Sequence, residues 1–430
     1  MNKLYYLLIG LIAANTLQAQ NLSFPASFKF GKESVAKNAI QVNDNTLYSP
    51  TIGYGLVPIG QLSVTQNYIS SNKPFYFEVN VPEGNYNVDI TFAEDASATV
   101  KAESRRLIAK AVDFSQQDSK TLQFTVNART PKIDEQESIR LKTREIGYLN
   151  WDHKLTLEFN GNNPAVKSIK ITPAQKPVTI FLAGNSTVTD QEEEPWASWG
   201  QMFPAFFRQG AVVANYAESG ETLKAFQREN RLKKIESLIK KGDYLFIEFA
   251  HNDQKPGGNH VEPFTTYQQE IMKFVEVARS HGTTPVLVTS MHRRSFNEKG
   301  EIINTLEEYP EAVRQLAQEE QITLIDLNSM SKIFYETLGV EDSKKAFVHY
   351  PANTFPNQDK ALADNSHFST YGAYQLARCI VSCINNSDLE LKKYLRSNMP
   401  LAYDPSQPDA FENWDWPLSP VSSTVKPDGN

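Results

Sequence analysis

The chain has 430 residues, 43 of them Lys or Arg and 50 Asp or Glu, for a formal charge of −7. The two signs are interspersed, which excludes the basic footprint of a nucleic-acid binder and gives no reason to expect an anionic membrane partner. The length allows two or three domains, each burying its own core, and points to partners that are small or neutral.

In chain order, Lys3 precedes an apolar stretch of about eleven residues that ends near the small residue Ala19, the pattern of a cleavable secretory signal. The stretch is shorter than the ~20 residues a membrane helix needs, and no later segment qualifies, so residues 1–19 read as a signal peptide and the rest as periplasmic or secreted. No cysteine follows the apolar run, which argues against a lipid anchor. From residue 20 to 175 short alternating segments recur, among them Phe75–Val81, Asn85–Phe92, Thr121–Ala128, Lys154–Gly161 and Val166–Pro173. Such spacing predicts an antiparallel β-sandwich. The turn beginning at Val81 reads as a hairpin, with Gly84 supplying a backbone conformation that a side chain would resist.

Across residues 176–386 the texture changes. Apolar runs at Val178–Gly184, Ala211–Ala217, Asp243–Ala250, Thr284–Ser290 and Ile322–Leu327 alternate with amphipathic stretches at 225–242 and 266–282, each closed by a glycine after cationic residues. Buried strands alternating with helices predict a parallel sheet covered on both faces. A final helix is expected from Ser369 or Thr370, carrying Tyr371, Tyr374, Ala377, Ile380 and Val381 on one face, with Asp364 and His367 in the loop before it. Cys379 and Cys383 fall at i, i+4 in that helix and read as buried hydrophobes rather than a disulfide. Residues 387–430 are proline-rich, with aromatics expected to pin them to the folded body.

In such sheets ligands collect beyond the carboxyl ends of the strands. There the sequence places Ser186 after the first strand, Gly220 after the second and Asn252 after the third, with Asp364 and His367 last. Acyl transfer gives this set a common reason: a hydroxyl nucleophile, a base, an acceptor that fixes the base's tautomer, and donors for an oxyanion. Ser186, His367 and Asp364 fill the first three roles. The backbone N–H groups of Ser186 and Gly220 and the amide of Asn252 fill the fourth. A metal site built from Asp364, His367, His251 and Asp253 has no established ligand motif behind it.

The segments LAGNSTVTD, NYAESGETLKAF, IEFAHNDQK, SMHRRSFNEKGEI and DNSHFSTYGA, over residues 178–385, resemble the rhamnogalacturonan acetylesterase family of the SGNH or GDSL hydrolases. The resemblance implies a flavodoxin-like three-layer α/β/α hydrolase domain acting on acetyl esters of pectin, with neither metal nor organic cofactor. The preceding β-sandwich resembles a galactose-binding-like domain. Asn185, Ala250 and Glu221 depart from the family's usual Asp, Gly and basic residue, and Glu221 would repel a galacturonate backbone. Trp196 or Trp199 is a candidate for stacking on sugar rings, and Arg293 and Arg294 for gripping a substrate carboxylate. The competing expectations are an acetylesterase for another glycan such as xylan, a serine esterase or lipase on non-pectic substrates, and a carbohydrate-binding protein that has lost activity.

Overall fold

The computed structural model describes residues 22–34 and 37–428; the expected signal peptide, residues 1–19, lies outside them. The N-terminal region builds two sheets. One has seven strands, running along its main path Thr121–Ala128, Gly84–Phe92, Val166–Pro173, Ala26–Phe30 and Ile40–Val42. The other has five, in the order Tyr54–Pro58, Phe75–Asn80, Lys154–Asn163, Ser97–Ala102 and Arg106–Asp113. Alternation along Gly84–Phe92 sends Tyr86, Val88, Ile90 and Phe92 inward, as a period of two requires. They meet Phe77, Val100 and Leu157 of the other sheet in one core, and Phe28 packs edge-on against Phe77 across the gap at 4.9 Å. The pairing is antiparallel except between Ala26–Phe30 and Ile40–Val42, which run parallel.

The expected hairpin at Val81 is instead a crossover between the two sheets. Phe75–Asn80 pairs in the five-stranded sheet and Gly84–Phe92 in the seven-stranded one. Gly84 is not among the residues with positive φ, and a side chain there would meet nothing closer than 3.8 Å. It is the start of an ordinary strand.

Five parallel strands follow, Val178–Gly184, Ala211–Asn215, Tyr244–Glu248, Thr284–Val288 and Thr323–Ile325. The second lies outside the first and the third to fifth follow on the other side, the 2-1-3-4-5 order of a flavodoxin-like sheet. Alternate residues of the first strand serve opposite faces. Ile180 and Leu182 join Trp199, Phe203 and the helix Thr370–Asn385, whereas Phe181 and Ala183 join Phe226, Phe274 and Val313. Both faces being covered explains why these strands read as continuous apolar runs rather than alternating ones.

Two local expectations change. The stretch 225–242 yields two short helices, Leu223–Arg228 and Arg231–Glu236, broken at Asn230, which takes a left-handed φ of 64°. Asp364 and His367 sit not in a loop but in the strand Leu362–Phe368, which pairs with Phe347–Tyr350. The register jumps there: Val348 faces Asp364 while Phe347 faces Phe368, so residues 365–367 bulge out. The cysteines are free. In the C-terminal segment Trp414 donates to Thr370 Oγ1 at 3.1 Å and Trp416 to Glu194 Oε1 at 3.0 Å, and the two indoles stack on each other.

Candidate active site

The turn after the first parallel strand is built by a glycine. A Cβ on Gly184 would lie 2.5 Å from Val188 Cγ2 and 3.0 Å from Glu248 O, so only a bare backbone lets the chain fold back this tightly. The carbonyl of Asn185 then accepts from the N–H groups of Val188 and Thr189, both at 3.0 Å. Its side-chain Oδ1 accepts from Thr187 N–H at 3.1 Å and Thr187 Oγ1 at 2.9 Å. The acceptor an Asp would have offered is therefore kept by the amide. Gln191 donates to the Ser186 carbonyl at 2.8 Å and fixes the turn from above.

This turn presents Ser186 to the bulged strand. Ser186 Oγ lies 2.9 Å from His367 Nε2, and His367 Nδ1 lies 2.7 Å from Asp364 Oδ2. Asp364 Oδ1 accepts from the N–H groups of Ser366 at 2.8 Å and His367 at 3.1 Å. Burial by itself would raise the Asp364 carboxyl, but these bonds, the imidazole and the nearby Lys426 ammonium outweigh it and hold the group below its usual range. An ionised Asp364 accepting from Nδ1–H leaves Nε2 free to take the Ser186 proton. The Trp196 ring stands edge-on to His367 at 5.9 Å and limits its rotation.

The second and third strands bring the donors. Gly220 has a φ of +80°, a left-handed conformation suited to glycine. Among the described residues neither its N–H nor that of Ser186 donates to a partner. Asn252 is fixed by donating one amide hydrogen to Glu221 O at 3.0 Å and accepting from Lys255 at 3.0 Å, so its second amide hydrogen remains for an oxyanion. His251 beside it is buried and held neutral: desolvation, with Arg293 and His367 nearby, pushes its imidazole well below the usual value. Asp253 turns away and accepts from Leu223 N–H at 2.8 Å.

Three expected contributors are placed elsewhere. Trp199 is 0 % exposed, and its indole N–H donates to Glu248 Oε2 at 2.9 Å beneath the sheet, so it offers no face to a sugar. Arg293 donates to Thr305 Oγ1 and to the His251 carbonyl. Arg294 is spent on Ser343, Asn365 and Val340. Glu221, expected to repel an anionic substrate, is 0 % exposed and paired with Lys142. Burial raises its carboxyl to about 8, against the pull of Lys142 and Arg231.

Contributors from outside the parallel sheet carry no sequence signal. Arg106, at the start of the last strand of the five-stranded sheet, donates from Nε to Asp190 Oδ2 at 2.6 Å, four residues past Ser186. Arg105 donates to the carbonyls of Gln191 and Trp196 at 3.1 and 2.9 Å and pairs with Glu194. The β-sandwich thus braces the loop that carries the nucleophile position.

Fold and site together are those of an SGNH-type hydrolase, and the GDSL-like Lipase/Acylhydrolase family model matches residues 182–372. The rhamnogalacturonan acetylesterase RhgT of Bacillus subtilis is 44 % identical over 225 residues, 52 % of this chain and 96 % of its own. The probable rhamnogalacturonan acetylesterase YesY of the same organism is 32 % identical over 216 residues, 49 % of this chain and 94 % of its own. A crystal structure of the Bacillus subtilis protein YxiM aligns over 84 % of this chain and 98 % of its own, at 23 % identity and a TM-score of 0.45. The chain belongs to the rhamnogalacturonan acetylesterase family of the GDSL-like acylhydrolases, and is a carboxylic ester hydrolase.

Proposed function

We propose that the protein is a secreted serine carbohydrate esterase that removes acetyl groups from pectic polysaccharide, rhamnogalacturonan above all. The observation that carries the mechanism is the hydrogen-bonded chain from Ser186 Oγ through His367 to Asp364, at 2.9 and 2.7 Å. Ser186 Oγ attacks the acetyl carbonyl carbon as His367 Nε2 takes its proton. The oxyanion settles among the N–H groups of Ser186 and Gly220 and the Asn252 amide, each donor lowering the barrier by roughly 3 kcal/mol. Collapse breaks the C–O bond to the sugar, whose oxygen receives the proton from His367. A water, deprotonated by the same imidazole, then hydrolyses the acetyl-serine. The preference for rhamnogalacturonan is supported by the names of the two Bacillus subtilis relatives, and export by the segment 1–19.

The Asn185 carboxamide oxygen still accepts from Thr187 N–H and Oγ1, which supports a working enzyme over a decayed binding protein. The test is acetate release from acetylated rhamnogalacturonan and acetylated xylan by the wild type and by Ser186→Ala. Loss of release in a folded Ser186→Ala protein is the expected result. Wild-type-like release from that variant overturns the mechanism, and faster release from xylan overturns the substrate.

A further inference from the structure

Two segments outside residues 182–372 reach the front of the site. One is the stretch 142–148, in the connection between the sandwich strands Thr121–Ala128 and Lys154–Asn163; the other is 423–428 near the C-terminus. With Gln191 and Trp196 they line a cavity beside Ser219. Arg144 enters it with one edge already fixed. Nε and Nη2 donate to Glu218 Oε1 at 3.1 and 2.8 Å, and Nη2 also to the Ser219 carbonyl at 2.6 Å. The remaining Nη1 is taken by the carboxylate of Asp428. Asp428 also stands in front of the oxyanion glycine, since a Cβ built on Gly220 would lie 3.2 Å from Asp428 Cβ. Two residues earlier, Lys426 Nζ lies 3.5 Å from Asp364 Oδ1. The segment is therefore held as a clasp beside the site, at Lys426 by the aspartate of the triad and at Asp428 by Arg144.

The two ends of the Arg144 network differ in what holds them. The Glu218 side chain is 7 % exposed, so the bonds on that edge are sheltered, whereas Asp428 is 67 % exposed. A solvent-facing pair contributes little and is screened by salt. Asp428 can leave while Arg144 stays aimed. What remains is a fixed guanidinium whose Nη1 N–H groups are free beside Ser219, the residue before the oxyanion glycine, a charged donor suited to a carboxylate.

We propose that Arg144 recognises a carboxylate borne by the glycan next to the acetylated sugar, and that Asp428 occupies that place as a resident stand-in until the glycan displaces it. The proposal rests on the esterase reading above and assigns the residue that reads the substrate's uronate. Lys142, paired with Glu221 and donating to the Ser219 carbonyl, reaches the same corner from the same stretch.

The test has a kinetic and a binding arm. On an acetylated uronate-containing pectic oligosaccharide, Asp428→Asn lowers KM severalfold by removing the competitor. Arg144→Gln lowers the ratio of kcat/KM on that substrate to kcat/KM on neutral acetylated xylo-oligosaccharide about tenfold or more. The binding arm titrates deacetylated oligogalacturonide into full-length Ser186→Ala protein by calorimetry. Adding Arg144→Gln is expected to weaken that binding about tenfold, and adding Asp428→Asn to strengthen it. An unchanged kinetic ratio, or oligogalacturonide binding indifferent to both substitutions, overturns the proposal. Because the binding arm involves no acetyl chemistry, absence of Ser186-dependent acetate release would count against the esterase reading alone.

Discussion

Replacing Arg106 by methionine tests whether the β-sandwich is part of the catalytic scaffold. The guanidinium makes three bonds in a buried setting, to Asp190 Oδ2 at 2.6 Å, to the Asn127 carbonyl at 2.7 Å and to Asn150 Oδ1 at 2.7 Å. Breaking a buried ion pair from one side costs about 3–5 kcal/mol, chiefly because the surviving charge is left without compensation. Asp190 would keep the Asn215 amide at 2.9 Å and Arg129 Nη2 at 3.8 Å, which places the expected loss near the lower end, ~3 kcal/mol. Asp190→Leu alone should cost a similar amount by stranding the arginine. The double variant Arg106→Met/Asp190→Leu should cost at least ~2 kcal/mol less than the sum, because neither charge remains. Urea unfolding of the four proteins gives these differences, and kcat on a small acetyl ester should fall with Arg106→Met, since Asp190 lies on the turn that carries Ser186. A change below ~1 kcal/mol for Arg106→Met, or additive single effects, would refute the reasoning.

Trp199→Phe keeps an aromatic ring but removes the donor to the buried Glu248; it should cost about 1–3 kcal/mol of stability while leaving KM for glycans within about twofold, and a large KM effect would return the residue to the substrate surface. Asn185→Asp should change kcat by less than about tenfold, or ~1.4 kcal/mol, measured on acetylated rhamnogalacturonan; strong activation would mean that the native turn is compromised. Burial raises the carboxyls of Glu248 and Asp253 to about 7 and that of Glu103 to about 8. The unfolded chain loses these protons near the ordinary values of 3.8 and 4.5 while the folded protein holds them to about 7 or 8, so stability falls as pH rises from ~4.5 to 8 and levels off beyond. The melting temperature should drop across that window, less steeply in Glu248→Gln; a rising profile would contradict the assignment.

The parallel sheet is legible in the sequence because strands covered on both faces must be apolar throughout, and their spacing leaves room for one crossover each. The strand ends are legible for the same reason, which is how Ser186, Gly220 and Asn252 can be read as neighbours before any contact is known. Asp364 and His367 are harder, since the bulge at 365–367 depends on pairing with Phe347–Tyr350. A polar D-N-S-H run therefore reads as loop. Trp199 illustrates the limit of composition: an aromatic at a helix start is apolar enough for a sugar platform or a core, and only Glu248 beneath it decides. Glu221 is misread for a related reason. Its partner Lys142 lies far away along the chain and its burial is tertiary, so no local pattern reveals that it presents no charge to a substrate. The turn at Val81 has hairpin residues, yet the strands it joins belong to different sheets.

The most direct measurement of the central claim is to treat the full-length protein with a serine-directed organophosphonate, map the adduct by peptide mass spectrometry, and follow acetylesterase activity in the same samples. The account predicts a single adduct, on Ser186, with activity lost in proportion to its formation and protected by acetylated rhamnogalacturonan. Full modification of Ser186 with activity intact, or inactivation by an adduct on another residue, would contradict it.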